Sequence, residues 1–270
     1  MPAVPDIAAG LPAVLDGSLE PGRRVNPPLS VIVPVYNEAA NFPNLIREVE
    51  QHIPAPFTLL VVYDFDADTT VPMARQFAES RPWLKLVKNR GKGVVGALRT
   101  GFQEVCTGPA LVVMADLSDD LTRVPRMLEL YRDGAQVVCP SRYCAQGRQI
   151  GGPWLKKSLS RLAGISLNMA VRFPTRDATN NYRLYDAALV NELGIESEGG
   201  FELALELTAK AFRRGAKIAE VPTTWRDRVA GVSRFKFRKW LPKYAYWYGY
   251  AMLAGIERKL GINNPDRRAA

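Results

Sequence analysis

The 270-residue chain predicts an α/β domain, a mainly parallel sheet with helices on both faces, and two observations carry that prediction. Apolar strands alternate with segments whose apolar residues fall at helical spacing. Two of the strands, in the runs Val61-Val62-Tyr63-Asp64-Phe65-Asp66-Ala67-Asp68 and Leu111-Val112-Val113-Met114-Ala115-Asp116-Leu117-Ser118-Asp119-Asp120, end in acidic clusters. Such apolar runs belong in buried parallel strands, and carboxylates at their C-terminal ends open onto the crevice where open α/β sheets bind ligands.

Each element follows in order. Leu29 to Val35 reads as the first strand, and Asn41 to Gln51 as a helix with Phe42, Leu45, Ile46 and Val49 on one face. Leu59 to Tyr63 is the second strand, followed by a helix from Thr70 to Ser80 carrying Val71, Ala74 and Phe77. Leu84 to Val87 is a short third strand, Gly93 to Val105 a helix and Ala110 to Met114 the fourth strand. Val124 to Arg132 is helical, and Ala135 to Cys139 is a further strand. No internal repeat interrupts the alternation, and no linker separates two cores.

Composition narrows the chemistry. A hydrophobic fraction of 47% supports a full core. Three cysteines, Cys106, Cys139 and Cys144, have no metal-type spacing and point to a reducing compartment. The single histidine, His52, is placed in a loop before Pro54 and Pro56, which disfavours histidine-built metal sites and Ser-His-Asp chemistry. The net charge of +9 calls for an anionic partner. Carboxylates this dense need a counter-ion, and a hard divalent cation, magnesium or manganese, bridging a pyrophosphate is the economical one.

The turn Asn89-Arg90-Gly91-Lys92-Gly93 opens a helix, so its glycines allow close backbone approach to a ligand while Lys92 supplies charge. It fits neither G-x-x-x-x-G-K-[ST] nor G-x-G-x-x-G. Between Arg226 and Lys243 the chain interleaves Arg228, Arg234, Lys236, Arg238 and Lys239 with Trp225, Phe235, Phe237 and Trp240. The stretch from Trp240 to Ile256 is too short to cross a bilayer, and its Tyr244, Tyr246, Trp247, Tyr248 and Tyr250 suggest an aromatic belt at a membrane surface or a core helix. Residues 1–28 read as a mobile lead-in without a secretory signal.

The order of motifs carries a resemblance that no single motif does. P-V-Y-N-E after strand one, the acidic end of strand two, N-R-G-K-G, A-D-L-S after strand four, S-R-Y, the run Asp177-Ala178-Thr179-Asn180-Asn181-Tyr182-Arg183, G-G-F-E, E-V-P and R-x-x-G-x-S resemble the family 2 inverting glycosyltransferases. The chain is most similar to their branch of dolichyl-phosphate mannose synthases and bacterial polyprenyl-phosphate glycosyltransferases, over residues 29 to 240. The resemblance implies a GT-A, Rossmann-like domain over 29–238 and a C-terminal amphipathic segment over 239–270. It implies transfer of a sugar from a GDP- or UDP-sugar to a polyprenyl phosphate, with magnesium or manganese as cofactor. The implied partners are that donor, the lipid phosphate and a membrane surface at the cytoplasmic face, not nucleic acid.

Residue by residue, Pro34, Tyr36, Glu38 and Asp64 match positions that hold base and ribose, and Lys92 matches the lysine beside the nucleotide. Asp116 matches the second acid of D-x-D, which binds metal and pyrophosphate. Arg142 and Arg161, the latter on a helix with Trp154 and Asn168, match acceptor-phosphate ligands, a task suited to a planar guanidinium. Arg183, Arg228, Ser233 and Arg234 are placed on donor and acceptor phosphates. Two departures stand out: Met114 replaces the first acid of D-x-D, a thioether ill-suited to a hard cation, and Tyr63 replaces an acid at the end of strand two. Asp119 or Asp120 offers a further oxygen. Other readings are a transferase to a hydroxyl acceptor, with Asp177 or Glu202 as base, and a noncatalytic nucleotide-sugar-binding descendant.

Overall fold

In the computed structural model of the protein, residues 28–200, 202–227 and 237–262 are described. The expected alternation is present. Strand β1 (Leu29–Val35) leads to α1 (Phe42–His52), β2 (Phe57–Tyr63), α2 (Thr70–Ala78), β3 (Leu84–Lys88), α3 (Gly93–Val105) and β4 (Pro109–Val112). Then come α4 (Val124–Arg132), β5 (Val137–Ser141), β6 (Arg148–Ile150) and α5 (Trp154–Val171). The rest is β7 (Arg183–Asp186), α6 (Ala187–Leu193), α7 (Leu203–Arg214), β8 (Ile218–Pro222), β9 (Thr224–Arg226) and α8 (Phe237–Lys259).

The strands order as β3-β2-β1-β4-β7-β5-β8 in one sheet, with β6 and β9 paired apart. Within the large sheet only β7 runs antiparallel to its neighbours, β4 and β5. The chain leaves β1 towards β2 and β3, then returns across it to β4. That reversal creates a topological switch point between β1 and β4, where loops diverge and a crevice opens at the strand C-termini.

Alternation along β1 decides which helices cover which face. Val31, Val33 and Val35 pack into one core with Phe42, Leu45, Val71 and Met127, so α1, α2 and α4 lie on that side. Ile32 faces the opposite core with Leu98, Phe102, Leu189 and Leu203, under α3, α6 and α7. Gly101 lets α3 settle on β1, because a Cβ there would stand 2.4 Å from Ile32 Cγ2.

A third core joins α5, α7 and α8 through Leu167, Val171, Phe173, Leu205, Phe212, Trp247 and Ala251. Of the two readings of α8, its aromatic rings follow the core helix: Trp247 is 4% exposed and Tyr244, Tyr248 and Tyr250 pack against this core, leaving Tyr246 as the exposed ring among them. The side chain of Trp240 lies outside the described residues. His52, expected in a loop, is the last residue of α1, its Nε2 3.4 Å from Glu48 one turn back. Residues 1–27, most of the expected lead-in, lie outside the described residues.

Candidate functional site

The crevice is built from loops that hydrogen bonds tie together. Asp68, fully buried, accepts from Asn37 N at 2.9 Å and Thr70 N at 2.8 Å, while Thr69 N donates to Asn37 Oδ1 and Glu38 N to Thr70 Oγ1. The loop after β1 is thus fastened to the start of α2. It holds Asn37 at a φ of 56°, a left-handed conformation that asparagine tolerates. Tyr36 is left 42% exposed, its ring edge-on to Phe65 at 5.4 Å.

Asp64 directly follows β2 and anchors the glycine turn. Its Oδ1 accepts from Asn89 Nδ2 at 2.5 Å and its Oδ2 from Gly93 N at 2.8 Å, at the first residue of α3. Asn89 in turn accepts from Gly91 N and Thr100 Oγ1. Gly96 sits close beneath the turn, since a Cβ there would meet Asn89 Oδ1 at 3.0 Å and the Asn89 side chain would have to give by a few tenths of an ångström. Exposed Gly91, Lys92 and Gly93 therefore stand at a helix N-terminus, whose free N–H groups favour an anion.

The acidic loop after β4 turns through Leu117 at a φ of 62°. Asp116 Oδ1 accepts from Ser118 N at 3.2 Å and Ser118 Oγ at 2.7 Å, and Asp119 Oδ2 accepts from Met114 N at 2.9 Å. Burial, then the charge of Asp116, push the Asp119 carboxyl up to about 8. Asp119, Asp120, Met114 and Ser118 line a cavity of about 510 Å³ that reaches Asn44, Glu48 and Arg226. Among the described residues no group of three or more His, Cys, Asp or Glu side chains is placed to hold a metal ion. Crowded carboxylates still suit a hard cation, which needs few protein oxygens when a diphosphate and water complete its shell.

On the far side of the switch point, Arg142 follows β5. Asp177, fully buried, takes three hydrogen bonds from it: from N at 3.0 Å, Nε at 2.6 Å and Nη2 at 2.8 Å. Nη2 also reaches Thr179 Oγ1 at 3.1 Å and Ser160 Oγ, on α5, at 3.4 Å. The guanidinium lies over Tyr143 at 4.9 Å, with the Trp225 ring at 6.0 Å. Burial works to raise the Asp177 pKa, yet the charge and hydrogen bonds of Arg142 win and hold it low. One face of Arg142 is fixed, and Nη1 is the nitrogen the pair does not use.

The model of glycosyl transferase family 2 matches residues 30–194. The chain belongs to this family. It is 29% identical over 233 residues to the polyprenol monophosphomannose synthase of Mycolicibacterium smegmatis, covering 80% of this chain and 85% of that one. The undecaprenyl-phosphate mannosyltransferase of Micrococcus luteus is also 29% identical, over 242 residues, 86% of this chain and 98% of that protein. The chain matches 59% of the length of the dolichol-phosphate mannosyltransferase of Pyrococcus furiosus, at 27% identity over 77% of its own length. Among solved structures, the glucosyl-3-phosphoglycerate synthase of Mycobacterium tuberculosis with Mn2+, UDP-glucose and phosphoglyceric acid superposes with a TM-score of 0.60 at 17% identity, over 87% of this chain and 80% of that one. A mannosyltransferase of Pyrobaculum calidifontis, in complex with GDP-Man and Mn2+, gives 0.57 at 17% identity, over 88% of this chain and 76% of that one. These likenesses bear on the fold, and the GT-A, Rossmann-like expectation stands.

Against this family 2 frame, the loops bring Tyr36, Glu38, Asp64 and Lys92 to one end of the sheet, with Pro34 inside β1. Asp64 has a structural task beyond the expected one, since both its oxygens already hold the glycine turn. Arg161 is exposed on α5, one residue after the Ser160 that touches Arg142. Arg183 is a correction. Placed on a phosphate by its motif, it is fully buried and donates to Ala204 O at 2.7 Å, Thr208 Oγ1 and Asp177 O, holding α7 to the 177 segment from within. Arg228, Ser233 and Arg234 lie outside the described residues. Asp68, one acid of the cluster after β2, instead closes an Asx turn, which an Asp two residues before a Thr at a helix start signals. Sequence reasoning named Asp177 only as a base, and nothing in the sequence pairs it with Arg142, 35 positions away.

Proposed function

We propose that the protein transfers a sugar, with inversion, from a nucleotide-diphosphate sugar to a polyprenyl phosphate at a membrane surface. The observation that carries this reading is a fixed arginine against one side of α5 and an exposed apolar surface on the other side of the same helix. Arg142 touches α5 through Ser160, and α5 exposes Trp154 at 76%, Leu162 at 65% and Met169 at 78%. Alongside it α8, joined by the Ser166 to Tyr248 and Lys259 to Ala170 hydrogen bonds, exposes Leu253 and Ile256, with Leu260 exposed just past its end. Arg161, Arg172, Arg258 and Lys259 are exposed on the same helix pair or at its ends. An acceptor that is anionic at one end and apolar at the other suits such a surface, as does a bilayer bearing anionic lipids. Among the described residues no helix is long and apolar enough to cross a membrane, so the contact is peripheral in this reading.

The chemistry follows from ionisation. A lipid phosphate is already anionic near neutral pH, so its oxygen attacks without a protein base. Arg142, braced by Asp177, and Arg161 align that anion, and the N-terminus of α3 with Lys92 faces the donor diphosphate. Magnesium or manganese, held by Asp116 with Asp119 nearby, supplies charge neutralisation of the leaving diphosphate when bound. Met114 is then one lost ligand rather than a lost site.

A transferase to a hydroxyl acceptor needs a carboxylate base. Asp177 is committed to Arg142, so that reading falls to Glu202, whose Oε2 has no hydrogen-bond partner among the described residues. The test is transfer with purified protein, GDP-mannose or UDP-glucose, and polyprenyl phosphate, for wild type and Asp116→Asn. Loss of transfer of at least about 100-fold in the variant supports the proposal; full transfer by Asp116→Asn, or transfer only to hydroxyl acceptors, overturns it.

A further inference from the structure

Two buried oxygen acceptors flank one loop beside the site, and neither has a hydrogen-bond partner among the described residues. Glu202 is fully buried at the start of α7, its Oε1 accepting from Gly199 N at 2.9 Å while Oε2 has no hydrogen-bond partner among the described residues. Asn181 donates through Nδ2 to Gly200 O at 3.2 Å, and its Oδ1 is likewise buried and unmatched. Both side chains therefore grip the Gly199-Gly200 loop with one atom and leave the other unmatched. Buried acceptors left without donors are costly, so native sites keep them where a ligand supplies the donor.

The place of this loop says which ligand. On the donor side Gly200 is pressed against α3 directly after the glycine turn: a Cβ there would stand 2.1 Å from Val94 Cγ1. On the acceptor side the Asn181 that holds Gly200 O belongs to the same segment as the Asp177 that braces Arg142. A cavity of about 380 Å³, lined by Glu202, Ser197, Lys243, Tyr246 and Trp247, opens against the loop, and Ser197 Oγ is a third buried atom without a partner. What passes between a donor diphosphate and an acceptor anion is the sugar. A hexose offers several hydroxyl donors and an apolar face for aromatic rings.

We infer that Glu202 and Asn181 are specificity-determining residues that accept hydrogen bonds from hydroxyl groups of the transferred sugar. The inference rests on the transferase reading and deepens it. Discrimination at such a site is strong because a sugar lacking the matching hydroxyl leaves the buried oxygens unmatched.

The experiment is calorimetric titration of GDP, GDP-mannose, UDP and UDP-glucose, each with manganese, into wild type, Glu202→Ala, Glu202→Gln and Asn181→Ala. The quantity read is the ratio of the Kd of the diphosphate to that of its sugar conjugate, for the nucleotide that binds more tightly. The expected result is a fall in this ratio of about tenfold in Glu202→Ala and Asn181→Ala, with a smaller fall in Glu202→Gln. The Kd for the bare diphosphate should stay within about twofold, which also shows that each variant is folded. An unchanged ratio in the Glu202 variants, or an equal loss for diphosphate and conjugate, overturns the inference. Wild type that binds none of the four overturns the transferase reading itself, a failure visible before any variant is made.

Discussion

Removing the Asp177 carboxylate should cost more stability than most single changes in this protein. Arg142 gives Asp177 hydrogen bonds of 2.6, 2.8 and 3.0 Å, and the paired side chains are 10% and 0% exposed. Asp177→Ala strands a largely desolvated guanidinium, and breaking such a pair typically costs about 3–5 kcal/mol. A domain is stable by only about 5–15 kcal/mol, so the variant should lie near the edge of folding. The assay is urea denaturation followed by tryptophan fluorescence, for Asp177→Ala, Arg142→Met and the double variant. The double should lose less than the sum of the singles, because neither partner is then left unpaired. The pH dependence has a defined direction. The folded pKa of Asp177 is below its ordinary 3.8, so the contribution is complete above that value and disappears as pH falls through the lower folded one. A loss under about 1 kcal/mol for Asp177→Ala near neutral pH, the scale of an exposed pair, would refute the reasoning.

Other expectations are briefer. Asp119 has a folded pKa of about 8 against an ordinary 3.8, so the folded state binds the extra proton and stability falls as pH rises between those values. Asp119→Asn should flatten that slope in melting curves from pH 5 to 8, and an unchanged slope would contradict the assignment. Gly164→Ala forces a Cβ to 1.9 Å from Arg176 O, so α5 must shift away from the Asp177 segment; denaturant titration should show a loss of about 1–3 kcal/mol. Leu162→Glu with Met169→Glu places two charges on the exposed face of α5. Sedimentation with vesicles containing anionic lipid should fall, while thermal stability stays within a few degrees, and undiminished sedimentation would remove that face from the proposed membrane contact.

The periodicity of the chain was enough to determine the alternating elements from β1 to β5, but not the antiparallel β7 or the elements from α6 to β9, because a strand buried on both faces must be apolar throughout and a covering helix must be apolar on one side. The strand predicted at Leu29 to Val35 has those bounds in the structure, and the helices at Gly93 to Val105 and Val124 to Arg132 do as well. The acidic strand ends and the glycine turn were legible for the same local reason: their residue types have few other uses. What the sequence could not decide is partnership at a distance. Arg142 and Arg183 look equivalent as basic residues in motifs, yet one sits at the site and the other inside the core. Likewise the tyrosines of α8 resemble a membrane belt, whereas the helix turns most of them inward and exposes its aliphatic residues. Hydrophobic pattern fixes an element and its period, but which side of a helix meets a neighbour, and which carboxylate meets which arginine, depends on contacts that only the packed chain creates.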